Sequence, residues 1–195
     1  MDNKIIIIQG YLAAGKSVFA ERLSQALQIP CLIKDTFKTA LCNTVPIEDR
    51  KMSSRFSAVT FDGMLYVAEK LLEVGCPLML EGNFVPAGVK DRDEAEAIRT
   101  LLEKYQAVSL TFKFKGDTHV LHRRFAEREK LPERGQANRI GSQVLYEDFD
   151  KWCHNMDSFD IGGKIIQIDT TDFALVDYEE MIQEARQFME GKGRS

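Results

Sequence analysis

Gly10-Tyr11-Leu12-Ala13-Ala14-Gly15-Lys16-Ser17 carries two glycines, a lysine and a hydroxyl at the spacing G-x-x-x-x-G-K-[ST], directly after the apolar run Lys4-Ile5-Ile6-Ile7-Ile8-Gln9. In such an arrangement a buried strand delivers the chain to a tight turn. Successive backbone N–H groups there, with the positive end of the following helix, form a concave nest for phosphate oxygens. Gly10 and Gly15 permit dihedrals and close approaches that a Cβ would forbid. Lys16 would set a compact positive charge on the outer phosphates, and Ser17 would offer its hydroxyl to Mg²⁺. Gly10, Ala13, Ala14, Gly15, Lys16, Ser17 and Val18 are therefore the candidate phosphate-binding set. Ala13 stands where many such loops have a third glycine, so a slightly different turn is expected there.

Two acids follow strand-like segments. Asp35 comes just after the short apolar stretch at 30–34, where a carboxylate can take the proton of a substrate hydroxyl and aim it at a phosphate. Asp35-Thr36-Phe37-Lys38 is equally a helix N-cap sequence, and that alternative stays open. Lys34 beside it can pair with an anionic substrate, or is simply an exposed lysine. Glu81-Gly82 ends a third apolar run; an acid there can hold Mg²⁺ through water, with Gly82 leaving room, or it is a solvated strand end. The segment 122–135 is basic, and Arg124 and Arg128, four apart, share a helical face. They suit neutralisation of phosphate or stacking on a base, the alternative being a solvated face paired with Glu127 and Glu129. Pro132 and Gly135 give this segment hinge-like ends, as in a lid that excludes water. Thr170-Thr171-Asp172 follows the last strand-like segment, where Thr171 would line a nucleotide base, or where there is a plain turn. His119, His122 and His154 have no metal-ligand or triad spacing, and Trp152 with Phe149 reads as core.

The elements that must position these groups alternate. Strands are expected at 4–9, 30–34, 77–81, 107–114 and 164–168. Helices are expected at 15–27, from 36, and at 48–74, 91–105, 118–130, 136–151 and 176–189. In the first helix Val18, Phe19, Leu23, Ala26 and Leu27 are expected on one helical face; in the third, Phe56, Val59, Met64, Val67, Ala68, Leu71 and Leu72 are the apolar positions. Alternation of this kind implies a parallel sheet with helices on both faces and ligands at the carboxyl ends of the strands.

The chain of 195 residues suffices for one well-packed α/β domain, and no linker or repeat divides it. A net charge of −4 gives no general attraction to nucleic acid. Cys31, Cys42, Cys76 and Cys153 show no C-x-x-C spacing, so a reducing compartment is expected rather than a zinc site. The first apolar run is too short for a membrane span or signal segment, and a cytoplasmic protein is expected.

With the loop, the acid after strand two, the acid-glycine after strand three and the arginine-rich break after strand four in this order, the chain resembles the P-loop kinases of small molecules. These include the nucleoside monophosphate, shikimate and gluconate kinases, and the nearer look is to the zeta-toxin and chloramphenicol phosphotransferase-like group. The resemblance implies a three-layer α/β/α P-loop NTPase fold with a five-stranded parallel sheet of order 2-3-1-4-5 and a helical lid at about 118–150. It implies ATP and Mg²⁺ as donor and cofactor and a hydroxyl of a small molecule as acceptor. Lys16 and Ser17 match the phosphate and Mg²⁺ residues, Asp35 the acid that contacts the acceptor, and Glu81 the metal-side acid. Arg124 looks like the arginine that packs on adenine, and Arg128 or Arg134 like the lid arginine over the transferred phosphate.

Other classes fit less well. A GTPase would show N-K-x-D, which is absent, and the D-x-x-G at Asp160 falls after the fourth strand. An AAA-type or transporter ATPase would want an Asp-Glu pair and a longer chain. A nucleotide-binding regulator without transfer, a toxin-like kinase or a kinase of polynucleotide ends remain as alternatives.

Overall fold

The computed structural model describes residues 3–45, 47–84, 86, 92–131 and 144–191. The elements are β1 (Lys4–Gly10), α1 (Lys16–Leu27), β2 (Cys31–Ile33), α2 (Lys34–Cys42), α3 (Arg50–Glu73) and β3 (Leu78–Glu81). They continue with α4 (Glu94–Lys104), β4 (Val108–Lys115), α5 (Thr118–Arg128), α6 (Tyr146–His154), β5 (Lys164–Asp169) and α7 (Tyr178–Glu190). The strands form a parallel sheet in the order β2-β3-β1-β4-β5, the expected 2-3-1-4-5 arrangement.

Successive residues of a strand point to opposite faces, so the isoleucine run feeds two cores at once. Ile6 and Ile8 join Leu110, Phe112 and Phe114 under α1, α5, α6 and α7. Ile5 and Ile7 join Phe61, Met64, Ala68 and Leu72 of α3 and Ile98 and Leu101 of α4. The result is a three-layer α/β/α molecule with β1 at its centre. Helix starts are marked by aspartates whose carboxylates accept from backbone N–H groups: Asp49 from Met52, Asp93 from Glu96, Asp117 from Val120 and Asp177 from Glu180. Each such cap contributes about 1 kcal/mol.

Some expectations are corrected. Val18 is 74% exposed and Val59 57% exposed, so neither is core. The inward stripe of α1 is Lys16, Phe19, Ala20 and Leu23. Adjacent helix residues lie 100° apart, and with Phe19 centred on the sheet Val18 must turn outward. In α3, Phe61, Met64, Ala68 and Leu72 form the buried side. The helix expected at 136–151 begins at Tyr146 and ends at His154, and the part of the expectation over 136–143 lies outside the described residues. Trp152 and Phe149 do pack in the core as expected, and the four cysteines are free thiols. No helix among the described residues is long and apolar enough to cross a membrane.

The contrast within α1 is testable. Phe19 meets Phe112, Phe114 and Tyr178 with ring centroids 5.3 to 6.0 Å away. Phe19→Ala is expected to cost about 3–5 kcal/mol in urea unfolding, whereas Val18→Ala stays within about 0.5 kcal/mol. Equal losses would mean that the helix is rotated from the position described.

Candidate functional site

Three strands bring the site together through register alone. Glu81 pairs with Ile8 on one side and Ile33 on the other, so the ends of β1, β2 and β3 deliver the loop, Asp35 and Glu81 to one edge of the sheet. The loop leaves β1 at Gly10, where φ is 135° and a Cβ would stand 2.0 Å from the Phe114 carbonyl oxygen. Only glycine allows this approach, which lets the Tyr11 N–H donate to that same oxygen at 2.8 Å. Ala13 keeps the left-handed turn that a glycine would favour, with φ at 58°. The turn is thus preserved at a strain of roughly 1 kcal/mol. Gly15, φ 82°, opens α1.

Lys16 is 7% exposed, and its Nζ donates to the Tyr11 carbonyl at 2.6 Å. Burial lowers its pKa, and Arg128 adds to that, against the opposing pull of Glu81 and Asp35. Ser17 Oγ donates to Glu81 Oε2 at 3.2 Å. Glu81 is 4% exposed, and burial raises its carboxyl pKa to about 7, with Lys16 acting against the rise. These residues line one inner cleft with Leu12, Ala13, Asp35, Gly82, Asn83 and Arg128. Next to it an outer cleft of about 470 Å³ runs along residues 13–18 and is closed by Arg124, Glu127, Arg128, Leu131 and Phe173. Ala13, Lys16, Ser17 and Arg128 border both.

Asp35 is exposed in the first turn of α2, and the residue at the cap position is Ile33, with no side-chain cap bond. Asp35 thus stands inside the first turn of α2 rather than at its N-cap position. Glu81 is buried rather than a solvated strand end. Gly82 borders the inner cleft, and a Cβ there would stand 3.1 Å from the Lys34 Cβ and 3.1 Å from the Phe84 ring, so space is tight on its packed side as well. Lys34 is not exposed. It is buried and ion-paired at 2.5 Å with buried Glu94, which ties the β2 end to α4.

Arg124 does not sit on a solvated face. Its guanidinium donates to the Thr170 and Thr171 carbonyls at 2.6 and 2.8 Å and lies 3.9 Å from the Phe173 ring centroid. Thr171 itself is turned to other partners: its Oγ1 donates to Asp169 Oδ1 and accepts from the Asp117 N–H, and it does not line the outer cleft. Pro132, Arg134 and Gly135 lie outside the described residues. The described parts of the lid segment, α5 and α6, pack on each other through Phe125 and Phe149, with α5 presenting Arg124 and Arg128 to the loop. The histidines stay away from both clefts; His122, for example, hydrogen-bonds the Val144 carbonyl at 2.9 Å.

Tyr11 and Phe173 are the residues sequence reasoning missed. Tyr11 occupies a variable position of the loop pattern, yet its hydroxyl donates to Asp157 at 3.0 Å. Phe173 lies one residue beyond the Thr-Thr-Asp stretch and shows no signal of its own. Among the described residues no cluster of three or more His, Cys, Asp or Glu could hold a metal. The hydroxyl of Ser17 and the carboxylate of Glu81 are nevertheless hard oxygen donors converging beside Lys16. That donor set fits Mg²⁺, which keeps waters and takes substrate phosphates as its other ligands.

The raised Glu81 pKa has a sign that can be measured. Between pH 4.5 and about 7 the metal-free native state holds a proton that the unfolded chain has released. The Glu81 contribution is therefore fully present below pH 4.5 and is lost as pH rises towards 7, by on the order of 3 kcal/mol. Glu81→Gln removes this fall. The stability of the variant relative to wild type should climb across that window in denaturant titrations, and a constant difference would show that Glu81 is ionised throughout.

The sequence profile of the AAA domain family matches residues 5–145. The match is one of sequence family and does not test the AAA-type ATPase activity for which an Asp-Glu pair and a longer chain are expected. No curated protein matches the sequence significantly. Among solved structures, a protein from Chloroflexus aurantiacus provisionally described as a kinase superposes with a TM-score of 0.85 at 23% identity, covering 96% of this chain and 98% of its own. A sugar kinase from Janibacter sp. HTCC2649 gives 0.57 at 12% identity over 96% and 95% of the two chains. The shikimate kinase of Aquifex aeolicus gives 0.55 at 16% over 96% and 97%. At these identities the likeness is one of fold. With the profile spanning most of its length, the chain belongs to the AAA domain family.

Proposed function

We propose that the protein is an ATP- and Mg²⁺-dependent phosphotransferase that moves the γ-phosphate to a hydroxyl of a small molecule. The observation that carries this reading is the convergence of Lys16, Ser17, Asp35, Glu81 and Arg128 on one inner cleft that opens into a second, outer one. The loop N–H groups and Lys16 hold the β- and γ-phosphates, Lys16 leaving the Tyr11 carbonyl to do so. Asp35 accepts the proton of the acceptor hydroxyl. The acceptor oxygen then forms its bond to phosphorus as the bond to the β-phosphate oxygen breaks, leaving ADP. Arg128 neutralises charge on the moving phosphoryl group. When bound between Ser17, Glu81 and the phosphates, Mg²⁺ supplies further charge neutralisation. Such transfer depends on positioning and electrostatics more than on covalent chemistry.

In this reading the whole chain is a single catalytic domain with its lid at about 118–150, acting in the cytoplasm. The acceptor is a hydroxyl compound of the kind served by the zeta-toxin and chloramphenicol phosphotransferase-like group. The order of the motifs supports that placement.

The test is ATP consumption with Mg²⁺ against a panel of hydroxyl metabolites, nucleotides, nucleotide sugars and antibiotics, with mass detection of product. With the acceptor found, Lys16→Ala should lower turnover by about 10²–10³-fold with the fold intact. Asp35→Asn should lower it by about 10²–10⁴-fold and leave ATP affinity within about two-fold. Undiminished turnover in Lys16→Ala would refute the mechanism. Parallel losses of turnover and ATP affinity in Asp35→Asn would make Asp35 a structural residue. Tight ATP binding with no acceptor-dependent product would instead favour a nucleotide-binding regulator.

A further inference from the structure

We propose that Phe173 is a built-in plug of the nucleobase slot, occupying in the nucleotide-free protein the place that a base takes when a nucleotide binds. The inference rests on the nucleotide-binding reading above and goes beyond it. A nucleotide whose phosphates lie in the nest of residues 13–18 must extend into the outer cleft, whose flat surface is the Arg124 guanidinium. Two carbonyl bonds hold that guanidinium in place. A guanidinium so fixed stacks on any flat π-system presented to it. The π-system presented here is the protein's own: the Phe173 ring lies 3.9 Å from Arg124, and its Cε1 stands 3.0 Å from where a Gly15 Cβ would be. The ring thus fills the gap between the arginine and the loop backbone.

The segment that carries it is suited to release. Phe173 is 38% exposed and is not among the buried residues of either core. It belongs to a three-residue 3₁₀ turn, Phe173–Leu175, next to Leu175, which is 84% exposed. A base stacking on Arg124 must displace the ring, so the nucleoside adds little to the affinity that the triphosphate supplies.

Calorimetric titration of wild type and Phe173→Ala with Mg²⁺·ATP, Mg²⁺·GTP and inorganic tripolyphosphate tests this. Removing the plug should tighten both nucleotides by roughly two- to thirty-fold and leave tripolyphosphate unchanged. Phe173→Leu should fall between. In a Phe173→Trp variant, with the Trp152 signal of wild type subtracted, emission should shift to the red with ATP and not with tripolyphosphate. Weaker nucleotide binding by Phe173→Ala would make the ring a platform for the base and overturn the plug. Equal affinities in wild type and variant, or a Trp signal blind to ATP, would also overturn it while sparing the nucleotide reading. Failure of every probe to bind either protein would remove both.

Discussion

A buried ammonium group is the constraint around which the site is arranged. Taking a lysine out of water costs several kcal/mol unless acceptors and opposite charges replace its hydration. Lys16 meets that requirement with one short bond to the Tyr11 carbonyl and with the nearby carboxylates of Glu81 and Asp35. The carbonyl can serve only because Tyr11 is itself fixed. Its ring is buried, its hydroxyl is held by Asp157, and Lys115 bonds the same carboxylate at 2.8 Å. A variable position of the loop pattern is therefore committed to a structural duty, holding the lysine beside the inner cleft.

The anchor continues beneath the loop. Gln9 and Lys113 are register partners on β1 and β4 and are both buried. Lys113 donates to the carbonyls of Asp157 and Phe159 at 2.7 and 3.1 Å, and Gln9 reaches the Met156 carbonyl. The segment after α6 is thus tied to two adjacent strands by buried polar side chains. A second buried pair, Lys34 with Glu94, holds the far side of the site. Groups carried on elements braced in this way keep their mutual distances, which positional catalysis demands.

What could be read in the sequence was whatever local rules decide. The loop spacing fixes Lys16 and Ser17, and a run of isoleucines between a loop and a turn is a buried parallel strand. Strand-helix alternation, with the motif order, was enough to place Asp35 and Glu81 at one sheet edge. Residues whose environment is made by distant chain were not legible. Lys34 looked exposed because its partner Glu94 lies sixty residues away, and Val18 looked buried because it is apolar and adjacent to Phe19. Nothing near Phe173 in the chain announces that it meets Arg124 and Gly15, since that contact joins the turn after β5 to α5 and to the loop.

The two clefts and the charges between them bear on how substrates must enter. Lys16 and Arg128 supply two positive side chains, Asp35 and Glu81 two carboxylates, so without ligand these four side chains balance when all are ionised. In the proposed reading a triphosphate brings more negative charge than the two cations can offset, and it would lie against buried Glu81, where water screens poorly. The repulsion is relieved if a divalent cation arrives with the phosphates and sits between them and Glu81. In the proposed reading Asp35 faces the acceptor. The residues shared by the inner and outer clefts, Lys16, Ser17 and Arg128 among them, mark the junction at which donor and acceptor would meet. Under the proposed function, the two acids therefore favour entry of the nucleotide together with its cation over either alone.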